Sequence, residues 1–449
     1  MKIKFLGAAG TVTGSSYVLT SSSGQSILID LGMFQGPPEI TKLNYQPFAY
    51  DAHQLSAIIL THAHLDHCGR LPILLPKGFT GEVWMTPATR DLTELSLLDS
   101  AHITREDKRE ILYDEEMALN TIARFKTVEY HVPLTIGDFT ITLVNAGHIL
   151  GSATLEIVDN HPSSEIKRVV FSGDLGNSPE PLEQPTELVG SADVVVMEST
   201  YGDRLHPALD PVEAIQLEMN TIEKTGGTLL IPAFSLERTQ ELLHMILHLK
   251  EAGKVSAQTP ILMDSPMAQK ATLIYDSYLK MLNEHIQSDL DATNPFEFPG
   301  LRIIQKMPES QAIHHIPGSK VIIAGSGMMV GGRILSHAAY YLPDPSTRLL
   351  IVGYQGVGTL GRALMEGVKE VIIDQERVAV RATITDTQAM SSHADQSQLL
   401  SWLKNIQQVK KVFLTHGDDI PRTTLAKKIT EDLGITDVVL PKMLEEVEF

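Results

Sequence analysis

Cysteine is nearly absent from this chain: Cys68 is the only one in 449 residues. No intramolecular disulfide can form, and no zinc site made of cysteines alone can be built. A chain without disulfides fits a reducing compartment, so a cytoplasmic protein is the expectation. Long apolar runs are also missing. The opening stretch MKIKFLGAAGTVTGSSYVL holds no apolar segment of secretory type, and no later run reaches the roughly 20 residues of a membrane-spanning helix. On that reading no membrane partner is expected. Positive charge is scarce, since 36 Lys and Arg face 55 Asp and Glu, for a formal net charge of −19. That balance argues against a non-specific nucleic-acid binder, which is usually basic overall. The objection weakens if bound cations neutralise carboxylates or if basic residues cluster locally. There is no fixed-period repeat and no low-complexity tract.

What remains is an ordinary globular composition, 43% hydrophobic and 20% charged. Its length exceeds what one hydrophobic core usually supports, which predicts at least two domains. Residues 1–203 are strand-rich: KIKFLG, SSYVLTS, SILIDLG, LSAIILT, FTITLVNAG, KRVVFSGD and ADVVVMEST are short β-type runs punctuated by Gly and Ser. Residues 204–378 alternate helix and strand, the rhythm of a parallel sheet flanked by helices. There Asp210 and Pro211 can open a helix that Gly226 and Gly227 close. Further helices are expected at CGRLPILL and through ATLIYDSYLKMLNEHI, and SDLDATNPFEFPG is the expected long loop. Strands return in residues 379–449, where THGD follows an apolar strand just as THAH does earlier.

Within LTHAHLDHCGRLP, three histidines and an aspartate fall between positions 62 and 67 of a chain with 17 histidines. His62 and His64 are two apart, so in extended backbone their rings share one side. Asp66 and His67 follow where the chain turns. Imidazole and carboxylate together suit zinc or a similar first-row cation. Distant candidates recur in one context, a strand end beside glycine: His148 in VNAGHILGSA, Asp174 in VVFSGDLGN and His416 in VFLTHGD. Each alone has a plainer reading, a turn cap for Asp174 and a hydrogen-bonded core residue for either histidine.

HxHxDH followed by these separate His, Asp and His motifs resembles the metallo-β-lactamase superfamily. The resemblance implies one metal held by His62, His64, His148 and Asp174. It implies a second held by Asp66, His67, Asp174 and His416, with Asp174 shared and two zinc ions as the cofactor. Asp30 in ILIDLG matches the family's acid that orients the ligand loop from behind. Glu198 in VVVMESTYGDR and His393 in MSSHADQSQL flank the middle segment, and together with His416 they resemble the extra motifs of the β-CASP branch. That branch comprises nucleic-acid-processing nucleases, including the cleavage nuclease of messenger-RNA 3′-end formation. The implied fold is α/β: an αββα metallo-β-lactamase sandwich, residues 1–203 and 379–449, with a β-CASP α/β domain inserted at 204–378.

The implied function is zinc-dependent hydrolysis of RNA phosphodiesters by two metals, in a cleft between the domains. Endonucleolytic cleavage is the expectation; 5′-exonucleolytic action and a DNA substrate stay open. Asp66 or Asp174 would take a proton from the attacking water, and His393, hydrogen-bonded to Glu198, would protonate the leaving 3′-oxygen. The glycine-rich turn GSGMMVGGR suggests an anion site, with Ser326, Gly327 and Arg333 as phosphate contacts and Arg238 in SLERTQE a further candidate. The family often dimerises, which leaves a homodimer open. Two rival readings are a hydrolase of this fold acting on a non-nucleic-acid substrate and a non-catalytic RNA-binding relative. The GxGxxG spacing of Gly356, Gly358 and Gly361 lacks the acid a dinucleotide site needs on the next strand and reads as a tight turn. His314 and His315 lack partners at metal spacing, and Cys68 reads as a small buried residue.

Overall fold

Several apolar runs are continuous rather than alternating, and burial explains why. Ser16–Thr20, Ser26–Ile29 and Val194–Glu198 are buried along their whole lengths, as strands covered on both faces must be. The computed structural model describes residues 1–106, 111–207, 210–289, 294–356, 358–387 and 390–449. The chain forms two compact units, Met1–Leu205 with Ser392–Phe449, and His206–Ser391.

The first unit holds two seven-stranded sheets. One runs in the order Glu446–Glu448, Lys2–Gly7, Ser16–Thr20, Ser26–Ile29, Leu55–Ile59, Glu82–Met85, Phe125–Thr127. The other runs Val438–Val439, Lys411–Thr415, Val194–Glu198, Arg168–Phe171, Ala153–Asp159, Phe139–Asn145, Leu134–Ile136. Their inner faces share one core, in which Phe5 meets Phe413 at 5.2 Å and Tyr17 meets Phe171 at 5.8 Å between ring centroids. The first sheet's outer face packs on Leu97 of helix Pro87–Glu106 and Ala118 of helix Glu115–Ile122. The second's packs on Leu399 and Leu403 of helix Gln396–Asn405 and Leu425 and Ile429 of helix Asp419–Leu433. The layers are therefore helix, sheet, sheet, helix, as expected. In the second sheet, Arg168–Phe171, Val194–Glu198 and Lys411–Thr415 run parallel in register, which brings the residues after them to one edge.

The second unit is built on an all-parallel six-stranded sheet in the order Leu301–Ile303, Ile261–Asp264, Lys320–Ala324, Thr228–Pro232, Arg348–Ile351, Thr383–Asp386. Helix Pro211–Thr225 starts where Asp210 accepts from the Val212 N–H and ends at Gly226, whose φ of 73° closes it. The unit does not end at residue 378. The hairpin Glu370–Ile373 with Glu376–Ala379 is followed by Thr383–Asp386, which pairs with Arg348–Ile351 and carries the unit on to Ser391.

Two expected helices differ. The helix near CGRLPILL is a single turn, Leu65–Cys68, followed by the 3₁₀ turn Leu71–Ile73, because Pro72 cannot donate to a continuing helix. ATLIYDSYLKMLNEHI is broken: Pro266–Ser277 ends, and Asn283 accepts from the Ile286 N–H at 3.1 Å to start a separate helix, Glu284–Asp289. Residues 290–293 of the expected long loop lie outside the described residues. Among the described residues, no helix is long and apolar enough to cross a membrane.

Candidate active site

The histidine loop leaves strand Leu55–Ile59 and is fixed from behind by Asp30. Asp30 Oδ1 accepts from the Thr61 N–H at 2.8 Å, and its Oδ2 accepts from the Thr61 hydroxyl at 2.8 Å and from His67 Nδ1 at 2.7 Å. The Gly32 backbone presses against the same loop; a Cβ there would lie 1.5 Å from the Asp66 carbonyl oxygen. Asp30 and His416 have φ of 55° and 48°. Non-glycine residues in the left-handed region cluster where function constrains the backbone.

The structure brings His62, His64, His67, His148, Asp174 and His416 together with Asp66. Asp174 Oδ2 stands 3.3 Å from His67 Nε2, 3.5 Å from His62 Nε2 and 3.7 Å from His148 Nε2. His64 Nδ1 lies 3.2 Å from both His62 Nε2 and His148 Nε2. On the other side, His416 Nε2 is 3.3 Å from Asp66 Oδ2, and its Nδ1 is 3.6 Å from Asp174 Oδ1. His148 donates Nδ1–H to the Ser392 carbonyl at 3.0 Å, because a carbonyl only accepts. Its Nε2 therefore carries a lone pair in the neutral ring, aimed at the centre of the cluster.

Electrostatics point the same way. Burial holds His62 and His148 well below the ordinary imidazole range and pushes His64 down to about 4. Asp66 falls to about 2: burial opposes ionisation, but the His416 hydrogen bond and the nearby His67 favour it. Burial likewise opposes charge on Asp174, yet His416, His67 and His62 hold it well below the usual carboxylate range. His67 is held well above its ordinary value by Asp174 and Asp30 despite burial.

The donor set fits metal ions on spacing as well. A tetrahedral site with bonds of about 2.0–2.1 Å sets its donors about 3.3–3.4 Å apart, close to the separations above. His62, His64, His148 and Asp174 form one such group; Asp66, His67 and His416 form another; Asp174, His393 and His416 a third. Asp174 Oδ1 is buried and has no hydrogen-bond partner among the described residues. These residues could hold two divalent cations with Asp174 between them.

Glu198 and His393 meet, as the motifs suggested. His393 Nδ1 is 3.2 Å from Glu198 Oε1, which also accepts from the Leu175 N–H at 2.7 Å. Burial works against a charged ring, but Glu198, then Asp174 and Asp66, raise His393 to about 9. Its ring lies 4.6 Å from that of His148, and its side chain is 21% exposed. The imidazolium is therefore within reach of a bound group at the edge of the cluster.

The proposed phosphate contacts fare differently. Arg238 is buried and paired with Glu241 one turn along its own helix, so its guanidinium is committed within the second unit. Arg333 is bound to Asp264 and to the Ile304 and Gln305 carbonyls, a structural role that the sequence reading missed. Ser326 and Gly327 lie in the loop after strand Lys320–Ala324, with the Ser326 hydroxyl accepting from the Val330 N–H at 3.0 Å. His314 joins the Asp264 network through His337 at 3.1 Å. Cys68 is buried, and its thiol donates to the Ala63 carbonyl at 3.4 Å. Sequence reasoning also overlooked Thr61 and Thr200. Thr200 Oγ1 lies 3.0 Å from His416 Nδ1, and only its place in ESTYGD could have flagged it. The Ser392 carbonyl has no signature in the sequence, since it is backbone.

Comparison with known proteins supplies the relatives. The metallo-beta-lactamase superfamily description matches residues 9–218, the Beta-Casp domain residues 239–364, and the Zn-dependent metallo-hydrolase RNA specificity domain residues 377–441. The chain is 37% identical to Ribonuclease TTHA0252 of Thermus thermophilus, over 95% of each protein. It is 33% identical to Transcription termination factor FttA of Methanosarcina mazei, over 97% of this chain and 70% of that one. It is 31% identical to an RNase J-like protein of Methanocaldococcus jannaschii, over 97% of each. A solved structure from Enterococcus faecalis, of unknown function, shares the fold with a TM-score of 0.57 at 12% identity, over 99% of each chain.

Proposed function

Because the chain belongs to the β-CASP branch of the metallo-β-lactamase superfamily, we propose that it is a metal-dependent ribonuclease that hydrolyses RNA phosphodiesters. The observation that carries this is the Asp174 carboxylate, buried among the ring nitrogens of His62, His67 and His148, with the Glu198–His393 pair beside it. The ligands are His62, His64, His148 and Asp174 for one cation and Asp66, His67, Asp174 and His416 for the other. Two zinc ions held there would supply Lewis acidity and neutralise charge at the phosphoryl oxygens.

The side chains do the rest. Asp30 fixes the Thr61–His67 loop and keeps the His67 ring in one orientation. Asp66, depressed to about 2, is ionised at neutral pH and accepts a proton from the attacking water. His393, raised to about 9, holds a proton at neutral pH; Glu198 fixes Nδ1, so Nε2 delivers that proton to the leaving 3′-oxygen. Cleavage leaves a 5′-phosphate and a 3′-hydroxyl. Endonucleolytic action, a homodimer and a cytoplasmic location are finer parts of the same proposal.

The test is a pair of labelled RNAs, one linear and one circular, incubated with wild type and D174A. Wild type should cut both, since a circle has no end for an exonuclease, and D174A should cut neither. Wild type that cuts no RNA, or D174A that cuts as fast, overturns the reading. Cleavage of the linear RNA alone replaces the endonucleolytic part with 5′-exonucleolytic action.

A further inference from the structure

Phe234 follows strand Thr228–Pro232, which is buried throughout, yet its own side chain is 38% exposed. Its ring lies against the backbone of Gly327 and close to that of Gly353. A Cβ at Gly327 would come within 2.7–2.9 Å of three of its ring atoms, and one at Gly353 within 3.5 Å. Those glycines belong to the loops after Lys320–Ala324 and Arg348–Ile351, the strands on either side of Thr228–Pro232. Only glycine at 327 allows the ring this seat. Tyr354, next in the chain after Gly353, is 47% exposed, and Val330 is 54% exposed. The Met328 sulfur and the Tyr354 ring lie 3.6 and 3.9 Å from a Cβ position at Gly356. Beside them the Ser235 and Ser265 hydroxyls sit 3.2 Å apart, facing Gly325. All of these lie beyond the carboxyl ends of adjacent parallel strands, the side on which open α/β sheets take ligands.

We infer that Phe234 and Tyr354 form a platform on which bases of single-stranded RNA stack, a specificity contact wholly within the second unit. This rests on the ribonuclease reading. Both rings are partly exposed, and an exposed aromatic ring offers a π-face on which any nucleobase can stack. The charge of the chain favours this mode of binding. At −19 it has no general surplus of cations with which to hold a polyanion, whereas stacking does not depend on charge and gains little from low salt.

The test measures binding of fluorescein-labelled single-stranded RNA by anisotropy, in metal-free buffer that prevents cleavage. Base-bearing RNA is compared with RNA of the same length carrying abasic nucleotides. Alanine substitution of stacking aromatics weakens binding roughly 5- to 150-fold per base. Wild type should bind the abasic RNA weaker by that factor. F234A should bind the normal RNA weaker by about the same factor and lose less than wild type on going to the abasic one, the remaining loss being that of the Tyr354 stack. F234L, which keeps an apolar side chain without a π-face, should behave as F234A, and Y354A should show the same pattern. Equal binding of both RNAs by wild type overturns the inference without any variant. So does F234A binding that matches wild type, as an apolar protein-docking surface would give, or F234A that loses the two RNAs in equal proportion. Wild type that neither binds nor cuts RNA overturns the ribonuclease reading itself.

Discussion

Asp174 and Asp264 are alike in depth and setting, yet their surroundings differ. Asp174 follows an apolar strand and Asp264 ends one; both are buried, at 2% and 0% exposure, and both are neighboured by histidines. Asp264 is saturated: it accepts from Arg333, from Ser310 and from His337 Nε2 at 2.7 Å. Asp174 has ring nitrogens at 3.3–3.7 Å and an oxygen with no hydrogen-bond partner among the described residues. A buried carboxylate needs a partner of opposite charge and a full set of donors. The second unit supplies both through Arg333. The first surrounds Asp174 with imidazole nitrogens, among which burial holds His62 and His148 below their ordinary range, and such imidazoles around a carboxylate make a binding site for a cation rather than a closed ion pair. Similar residues therefore build scaffold in one unit and chemistry in the other.

Breaking the two sites should separate these roles. D174A should cut metal loading to less than one ion per chain and slow RNA cleavage at least about 10³-fold, as loss of several kcal/mol of charge stabilisation implies; elemental analysis and cleavage of end-labelled RNA check both. H393A should slow cleavage about 10²–10⁴-fold while metal content stays at the wild-type level, because general acid catalysis is lost and the ligand set is not. D264A should reverse that pattern. It leaves Arg333 with an uncompensated charge and should destabilise the protein by about 3–5 kcal/mol in urea unfolding, with metal content unchanged in the folded fraction. If D264A loses metal as readily as D174A, the distinction between scaffold and site fails.

Two smaller effects sharpen the contrast. D30N should weaken metal affinity about 10–100-fold in competition with a chelator, since Asp30 acts on the ligands only through Thr61 and His67. Asp264 should respond to protons instead. Burial opposes its ionisation, but His337, Ser310 and Arg333 hold its folded pKa below the ordinary value. Its stabilising contribution is then complete above about pH 4 and fades as pH falls through the depressed folded value. The unfolding free energies of wild type and D264N should differ by a constant amount from pH 7 to about pH 4 and converge below it.

Local sequence carried the first-unit site further than the second. His62, His64, Asp66 and His67 are neighbours in the chain, and the strand-end glycines marked His148, Asp174 and His416. The family resemblance, rather than spacing, joined those pieces and paired Glu198 with His393. The arginines were opaque, because an arginine at a helix start reads the same whether it meets solvent or a buried acid. Arg333 finds Asp264 across 69 positions, and only the folded sheet brings them together. The reach of the second compact unit beyond residue 378 was opaque for a related reason: Thr383–Asp386 looks like any short strand until its partner, Arg348–Ile351, is known. Phe234 was given no role of its own, since an aromatic after an apolar run is ordinarily core.

Elemental analysis of the folded chain, stripped with a chelator, reloaded with zinc and passed over a desalting column, tests the central claim most directly. The account predicts about two zinc ions per wild-type chain and less than one in D174A, with D264A matching wild type. Wild type that retains no zinc or other divalent metal, or D174A that retains as much as wild type, would contradict it.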